Sequence, residues 1–204
     1  MSVTVISAIA GYDRRMGRWE PGAQDRLRQA AMELFAERGF EATTVADIAA
    51  RARVTERTFF RYFADKREVL FSGEDLLQTA FVDAIAQAPE GQPVWTLIHA
   101  ALDAGAKTLQ ETRGREQARA REAIISANEA LQERELLKLT RLARAVTKAF
   151  QARGVAPTQA RLAGDVAVAM FSTAFQRWIE PDQTRDLTEL LHEVAADVQS
   201  ITTS

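Results

Sequence analysis

Apolar side chains recur at helical spacing along almost the whole of this 204-residue chain. The spacing matches the roughly 3.6-residue turn of an α-helix, and no convincing run of alternating residues indicates a strand. Glycine and proline separate the periodic stretches, notably at Gly39, Gly114, Gly154 and Pro181. The pattern predicts an all-α fold of about nine helices, with three short helices in front and longer ones behind.

Local signals set the ends of the predicted helices. Gly39 is expected to end the first helix, and Thr44 with Asp47 three residues later forms a variant of the capping box at the start of the second. Thr55 is expected to cap the third helix and Asp65 the fourth. The predicted helices cover residues 22–38, 45–52, 56–63, 66–88, 93–112, 115–127, 129–153, 158–180 and 184–202.

The residue inventory disfavours several classes of function. The chain has no cysteine and only two histidines, His99 and His192, which lie far apart in sequence and form no metal-ligand motif. It also has no HExxH, GxSxG or Walker motif. We therefore predict a protein that is not an enzyme and has no metal or cofactor. No apolar run approaches the ~20 residues that span a bilayer, so we expect a cytoplasmic protein without a membrane partner.

Residues 54–66, VTERTFFRYFADK, crowd four aromatic rings and two arginines into one short predicted helix. On a helical wheel Phe59 and Phe63 lie about 40° apart, whereas Arg57 and Arg61 lie on the opposite side. One face is therefore suited to a small core with the first two helices. The other face presents guanidinium groups to whatever meets the helix from outside.

A short helix, a tight turn and a second short helix with a basic outer face predict a helix-turn-helix motif. The second helix of such a motif lies in the major groove of double-stranded DNA, where an arginine fork can donate to guanine O6 and N7. Arg57 and Arg61 are the candidates for this contact, and Phe60 offers an apolar contact to a thymine methyl group. The residues predicted to contact backbone phosphates are Thr44, Tyr62 and Lys66.

Three other interpretations stay open from the residues alone. The segment also fits an amphipathic surface helix whose arginines pair with Glu56 or Asp65. A helical adaptor that binds a protein partner through the 54–66 face would explain an exposed Phe60 but not the capped start of the preceding helix. The hypothesis of an all-helical enzyme is weaker, because scattered carboxylates are the only polar groups available for catalysis. Residues 51–67 carry six basic and two acidic side chains, an excess that favours a nucleic-acid partner.

The N-terminal quarter of the chain resembles the DNA-binding domain of TetR-family transcriptional regulators. The resemblance lies in GRWEPGAQDRLRQAAMELFAERGFEATTVADIAARARVTERTFFRYFADKREVLF, residues 17–71, and is carried by AxxLFxxxGF, TTVxxIA and VTxxTFFxYFxxK. It implies a ligand-responsive regulator, most often a repressor, that binds a palindromic operator as a homodimer. A ligand pocket in the body is also implied. The apolar and aromatic residues of the middle helices favour a small apolar or aromatic effector, and the arginines within residues 113–121 make an acyl-CoA-like molecule one candidate.

The resemblance also implies a division of the chain and a set of DNA contacts. We expect a flexible arm over residues 1–20, a DNA-binding domain over 21–67, and an effector-binding and dimerisation domain over 68–204. Many family members have tyrosine where Phe60 stands and a small residue where Arg57 stands, so operator sequence does not transfer. The expected DNA contacts are Thr44, Thr55, Arg57, Thr58, Phe60, Arg61, Tyr62 and Lys66.

Dimerisation is expected to use the last two helices, as in the family. The last helix has a broad apolar stripe, and the helix before it is rich in small residues that permit close approach. Periodicity alone fits an internal bundle equally well. The residues predicted at the dimer interface are Phe175, Trp178, Leu187, Leu190, Leu191, Val194 and Val198.

The effector pocket is expected within the middle helices, lined by apolar and aromatic side chains with few polar groups. The run from Arg113 to Glu122 adds four arginines near the expected mouth, where pairing with glutamates on a solvated face is the simpler interpretation. The residues predicted to line the pocket are Phe81, Trp95, His99, Leu102, Ile125, Phe150, Met170 and Phe171.

Overall fold

The computed structural model describes residues 22–203, so the arm predicted for residues 1–20 lies outside the described part of the chain. Within residues 22–203 the regular secondary structure is α-helical and no strand is formed, which confirms the all-α prediction. None of the described helices is both long enough and apolar enough to cross a membrane. The helices are α1 (Ala23–Arg38), α2 (Val45–Arg51), α3 (Glu56–Tyr62), α4 (Glu68–Phe71), α5 (Glu74–Gln87), α6 (Val94–Thr112), α7 (Arg115–Ser126), α8 (Glu129–Ala152), α9 (Pro157–Trp178) and α10 (Leu187–Thr203).

The predicted fourth helix, 66–88, is two helices with a break between them. Ser72 adopts an extended conformation, and Gly73 has a φ of 91°, in the left-handed region where glycine carries no steric penalty. The Ser-Gly pair was the available sequence signal for this break. Helices α4 and α5 contribute to different cores.

The first core is formed by the N-terminal helices together with residues from two later helices. Phe59 and Phe63 of α3 pack with Leu34 and Phe35 of α1, as the helical wheel predicts. The same core includes Val69, Leu70 and Phe71 of α4, so it continues past residue 67. It is closed from the opposite side by apolar residues of α7 and α8, namely Ile124, Ile125 and Leu131.

Ile125 was predicted to line the effector pocket, and its position is different. The side chain is 2% exposed and belongs to the first core. Periodicity marked Ile125 correctly as inward-facing, but α7 turns this face towards α1 rather than towards the middle helices. Ile125 therefore joins the N-terminal helices to the body.

The second core fills the body, where α5 packs on α6 and α8, α9 packs on α8, and α10 packs on α9 and α6. Phe81 of α5 lies directly on Gly105 of α6 and meets Phe171 of α9 edge-on, with ring centroids 5.3 Å apart. The absence of a side chain at Gly105 makes room for this ring, since a Cβ there would lie 2.0 Å from it.

The stripe predicted to form the dimer interface lies mostly inside the monomer. Leu187, Leu190 and Leu191 are 0% exposed, and Val194 and Trp178 are also buried in the second core. Phe175 and Val198 are partly buried and pack against the same core. The prediction for this stripe is therefore wrong for its buried members, because helical periodicity identifies a covered face without identifying what covers it.

Gly164 sets how closely α8 and α9 approach. A Cβ at this position would lie 2.4 Å from Thr147 Oγ1 and 2.8 Å from the carbonyl oxygen of Ala143. Alanine usually stabilises a helix interior over glycine by about 1 kcal/mol. We expect the clash with backbone to outweigh this gain, so that Gly164→Ala lowers the free energy of unfolding by about 1–3 kcal/mol.

Urea unfolding of Gly164→Ala beside Thr140→Ala, an exposed position of the packing partner α8, measures this effect. The Thr140→Ala variant is expected to unfold close to wild type, within about 0.5 kcal/mol. A Gly164→Ala variant as stable as wild type would show that the two helices can separate without cost.

Candidate nucleic-acid interface

The start of α2 is fixed by a complete capping box. The Thr44 hydroxyl accepts a hydrogen bond from the Asp47 amide at 3.1 Å, and the Thr44 amide donates to the Asp47 carboxylate at 3.0 Å. Hydrogen bonding to Thr44 also holds the pKa of Asp47 below its ordinary value. These bonds confirm the cap predicted from the sequence and fix where α2 begins.

The turn between α2 and α3 depends on a residue in an uncommon conformation. Arg53 has a φ of 57°, in the left-handed region that few residues other than glycine adopt. The Val54 amide then donates to the Ala49 carbonyl at 2.9 Å. The chain reverses within three residues, which places α3 across the end of α2 as a helix-turn-helix requires.

Helix α3 is capped at its start and anchored in the first core on one face. The Thr55 hydroxyl accepts from the Thr58 amide at 3.2 Å, and the two hydroxyls lie 3.0 Å apart. Phe59 is 0% exposed and Phe63 is 2% exposed, with their ring centroids 5.5 Å apart. Because both rings are held in the first core, the opposite face of α3 is fixed in orientation.

The outer face of α3 presents two arginines and an exposed ring. Phe60 is 55% exposed and its ring meets Phe59 edge-on at a centroid distance of 5.5 Å. Arg57 is exposed, and within residues 22–203 no carboxylate lies close enough to pair with it. The Arg61 guanidinium donates to the Tyr62 hydroxyl at 3.3 Å and lies 4.9 Å from the Tyr62 ring centroid. Guanidinium groups, a phenol and an apolar ring thus share one outward surface.

Lys66 is placed differently from the prediction that it contacts a phosphate. Its ammonium donates to the carbonyl oxygens of Phe40, Thr43 and Glu41 at 2.8, 3.1 and 3.2 Å, and lies 4.3 Å from the Phe40 ring centroid. A lysine has three donors, and all three are used. Lys66 therefore ties the segment after α3 to the loop between α1 and α2.

Arg51 has a structural role that the sequence alone did not indicate. Its guanidinium binds Glu37 with two hydrogen bonds of 2.8 and 2.9 Å and Glu33 with one of 3.2 Å. The hydrogen bonds to Arg51 hold the pKa of Glu37 below its ordinary value, and those to Glu37 and Glu33 raise the pKa of Arg51. Arg51 thus holds α2 on α1. The carboxylates 14 and 18 residues earlier were the only sequence signal for this pairing.

The residues predicted to line an effector pocket mostly form packed core. Phe81, Leu102, Phe150 and Met170 are at most 1% exposed, and Phe171 is 4% exposed. Trp95 and His99 lie nearer the surface of α6, with ring centroids 5.5 Å apart, and His99 lies 5.8 Å from the ring of His192 on α10. The fold thus brings together the two histidines that are distant in sequence.

The four arginines expected near the pocket mouth bind oxygens of the protein itself. Arg119 donates to the carbonyls of Ile179 and Glu180 at 2.6 and 2.7 Å, and Arg115 donates to the carbonyls of Gln183 and Arg185. These bonds fasten α7 to the connection between α9 and α10. The sequence favoured ion pairs between these arginines and glutamates, but such pairs are a smaller part of their contacts than the bonds to backbone carbonyls.

This geometry defines a helix-turn-helix protein with a helical body, and family comparisons give its family. The model described as bacterial regulatory proteins, tetR family, matches residues 27–72. The model of the MftR C-terminal domain matches residues 92–202, more than half of the chain. The chain belongs to the TetR family of transcriptional regulators.

Individual relatives agree with this assignment. The HTH-type transcriptional regulator TcmR of Streptomyces glaucescens is 42% identical over 69 residues, which cover 34% of this chain and 30% of TcmR. The HTH-type transcriptional repressor Rv3405c of Mycobacterium tuberculosis is 38% identical over 101 residues, 48% of this chain and 50% of that protein. The chain thus matches half or less of the length of these curated relatives.

A solved structure shares the fold over most of the chain. FadR from Bacillus subtilis, solved in complex with stearoyl-CoA, is 21% identical with a TM-score of 0.56. The match covers 84% of this chain and 95% of the FadR chain. At this level of identity the likeness concerns the fold, including both the N-terminal helices and the body.

Proposed function

We propose that this chain is a ligand-responsive transcriptional repressor that binds a palindromic operator as a homodimer. The outer face of α3 carries the proposal, because Arg57, Phe60 and Arg61 stand together on a helix whose other face is held in a core. A protein-binding adaptor would use the same ring but has no need of the capped and cross-linked α2 beneath it. Family membership favours DNA as the partner.

In the proposed complex α3 lies in the major groove of the operator. Arg57 and Arg61 donate to guanine edges, and Phe60 makes an apolar contact. Tyr62 borders this face, while Thr44, Thr55 and Thr58 stand near the ends of the two helices and contact the backbone. Lys66 and Arg51 position the motif and take no part in binding DNA.

The second copy in the proposed dimer covers the outer face of α9. Leu162, Val166, Ala169 and Thr173 recur at helical spacing on this face, and Leu162 is 60% exposed. Their small average size permits close packing of two helices. A palindromic operator requires a two-fold axis that places the two copies of α3 on successive turns of DNA, about 34 Å apart.

The effector of this repressor is proposed to be a small, largely apolar molecule. FadR, which shares the fold, was solved with stearoyl-CoA, so an acyl-CoA is one candidate to test. Its binding weakens DNA binding if it favours a dimer in which the two recognition helices are wrongly spaced.

We expect Arg57→Ala and Arg61→Ala each to weaken operator binding by about 10- to 100-fold, the 1–3 kcal/mol of a bidentate guanine contact. Fluorescence anisotropy on the duplex that flanks the gene, beside a scrambled duplex, measures the loss at two salt concentrations. Arg144→Ala is the matched control, since Arg144 is an exposed arginine of α8 far from α3 in the fold. Equal losses in all three variants would indicate general charge attraction, and unchanged binding by both α3 variants would exclude groove reading by α3.

A further inference from the structure

Helix α2 ends in a Schellman motif, and Arg53 occupies the left-handed position of this motif. The Arg53 amide donates to the Ala50 carbonyl at 3.1 Å, and the Val54 amide donates to the Ala49 carbonyl at 2.9 Å. This pair of bonds requires a residue with a positive φ just beyond the helix, and Arg53 has a φ of 57°. Glycine is the usual residue at this position, and asparagine is the common alternative.

Within residues 22–203, glycine occupies every other position at which φ is positive. The six glycines are Gly22, Gly39, Gly73, Gly91, Gly114 and Gly154. A side chain in the left-handed region brings its Cβ close to the following carbonyl oxygen, and glycine avoids this contact. The backbone of the turn therefore gives no reason for an arginine at residue 53, and the reason has to lie in its side chain.

The Arg53 side chain makes no contact inside the protein that would explain its presence. It is exposed, and its guanidinium forms no hydrogen bond or ion pair with any residue that the structure describes. Arg51, by contrast, pairs with Glu37 at 2.8 Å. Arg67 pairs with Asp65 at 2.8 Å. The charge of Arg53 therefore stands on the surface of the helix-turn-helix without a carboxylate of residues 22–203 in contact with it.

Arg53 lies two residues before Thr55, the residue that caps the start of α3. In a helix-turn-helix the second helix enters the major groove with its N-terminal residues against the base edges. The turn that precedes this helix therefore borders the groove, where the nearest groups of the DNA are backbone phosphates. A guanidinium can bind one phosphate through two N–H groups, so an exposed arginine at this turn fits a phosphate.

We propose that Arg53 binds a backbone phosphate of the operator at the edge of the groove that α3 enters. The inference rests on the proposed function and adds a contact to it. The role differs from that of Arg57 and Arg61, because a phosphate contact positions the motif on the duplex and carries no sequence information. Arg53 thus contributes affinity for every duplex, whereas the two arginines of α3 distinguish the operator from other DNA.

Folding and DNA binding place different requirements on residue 53. Glycine at this position removes the Cβ contact of the left-handed conformation, although it also raises the entropy of the unfolded chain. Arg53→Gly is therefore expected to unfold at a urea concentration close to that of wild type or higher. A loss of DNA affinity in this variant is then a property of the folded protein, and urea unfolding of the same samples checks this.

Fluorescence anisotropy of the full chain tests the contact on the duplex that flanks the gene and on a scrambled duplex, over a range of salt concentrations. Arg53→Gly and Arg53→Asn are each expected to weaken binding to both duplexes by about 10-fold, as for loss of one hydrogen-bonded charge. The slope of log affinity against log salt concentration is expected to fall by about 1. Arg53→Lys keeps the charge and is expected to retain most of the affinity. Arg144→Ala on α8 is the control and is expected to leave affinity and slope unchanged.

Unchanged affinity of Arg53→Gly and Arg53→Asn would overturn the proposal, and so would a loss confined to the flanking duplex, which would make Arg53 a base contact. A loss in Arg53→Gly alone would assign the effect to the turn, and a loss in Arg53→Lys as large as in Arg53→Gly would show that charge is not the cause. Either result rejects the phosphate contact.

The same data separate this inference from the proposed function. If wild type and the Arg53 variants bind the flanking duplex equally well and prefer it to the scrambled one, the phosphate contact alone is rejected. If wild type binds both duplexes equally and the Arg53 variants bind both more weakly, the phosphate contact is supported and operator recognition on that duplex is rejected. Absence of binding to either duplex at low salt rejects both.

Discussion

Phe59→Ala is expected to lower the free energy of unfolding by about 3–5 kcal/mol and to abolish operator binding. The Phe59 side chain is 0% exposed and contacts the rings of Phe60 and Phe63 in the first core. Helix α3 has seven residues, too few to be stable by itself, so its order depends on this anchoring. Urea unfolding and duplex anisotropy on the same samples measure both effects.

Phe60→Ala is the matched control, because the neighbouring ring is 55% exposed. Its stability is expected to stay within about 0.5 kcal/mol of wild type, while operator affinity falls through loss of an apolar contact. If Phe59→Ala unfolded at the wild-type urea concentration, the ring would not anchor α3 and the fixed orientation of the arginine face would need another cause.

The helix-turn-helix motif was largely predictable from the sequence because its determinants are local. The Thr44 cap with Asp47, the Thr55 cap and the spacing of Phe59 and Phe63 involve residues within four positions of each other. The observed bounds of α2 and α3 differ from the predicted ones by one residue at their ends. Such signals depend on backbone geometry, which a short stretch of sequence specifies.

Roles that depend on distant partners were the ones that the sequence could not specify. Lys66 has the charge of a phosphate ligand, yet carbonyls 23 to 26 residues earlier use its donors. The leucines of α10 have the periodicity of an interface, yet α9 and α6 of the same chain cover them. Helical periodicity predicts that one face of a helix is buried, but only the tertiary structure shows which other helix buries it.

The buried Arg121 forms an ion pair that joins the first core to the body. This pairing, too, could not be predicted from neighbouring residues in the sequence. Arg121 of α7 is 4% exposed, donates to the Leu70 carbonyl of α4 at 2.8 Å, and pairs with Glu135 of α8 at 2.5 Å. Its guanidinium lies 5.1 Å from the ring centroid of Phe71, and Arg134 lies 4.8 Å from the same centroid. Arg121 is thus the polar centre of the contact among α4, α7 and α8.

Arg121→Ala is expected to lower the free energy of unfolding by about 3–5 kcal/mol, because it leaves the partly buried Glu135 carboxylate and the Leu70 carbonyl without this donor. The double variant Arg121→Met with Glu135→Leu is expected to recover part of that loss, since the Glu135 charge is removed together with its Arg121 partner, while Lys138 loses its ion pair with Glu135. Urea unfolding of the single and double variants measures the difference. A double variant no more stable than Arg121→Ala would show that the bond to Leu70, rather than the charge pair, holds this contact together.

The pH dependence of a further variant, Glu135→Gln, separates the electrostatic role of Glu135 from simple packing. Burial acts to raise the pKa of Glu135, but Lys138 and Arg121 outweigh it, so the pKa lies below its ordinary value of 4.5. A lowered pKa in the folded state means that the pair stabilises the fold above about pH 4.5 and that this contribution is lost as pH falls through the folded pKa. Wild type and Glu135→Gln should therefore differ most in stability near neutral pH and converge in acid. A difference that stays constant from neutral to acid pH would assign the role of Glu135 to packing alone.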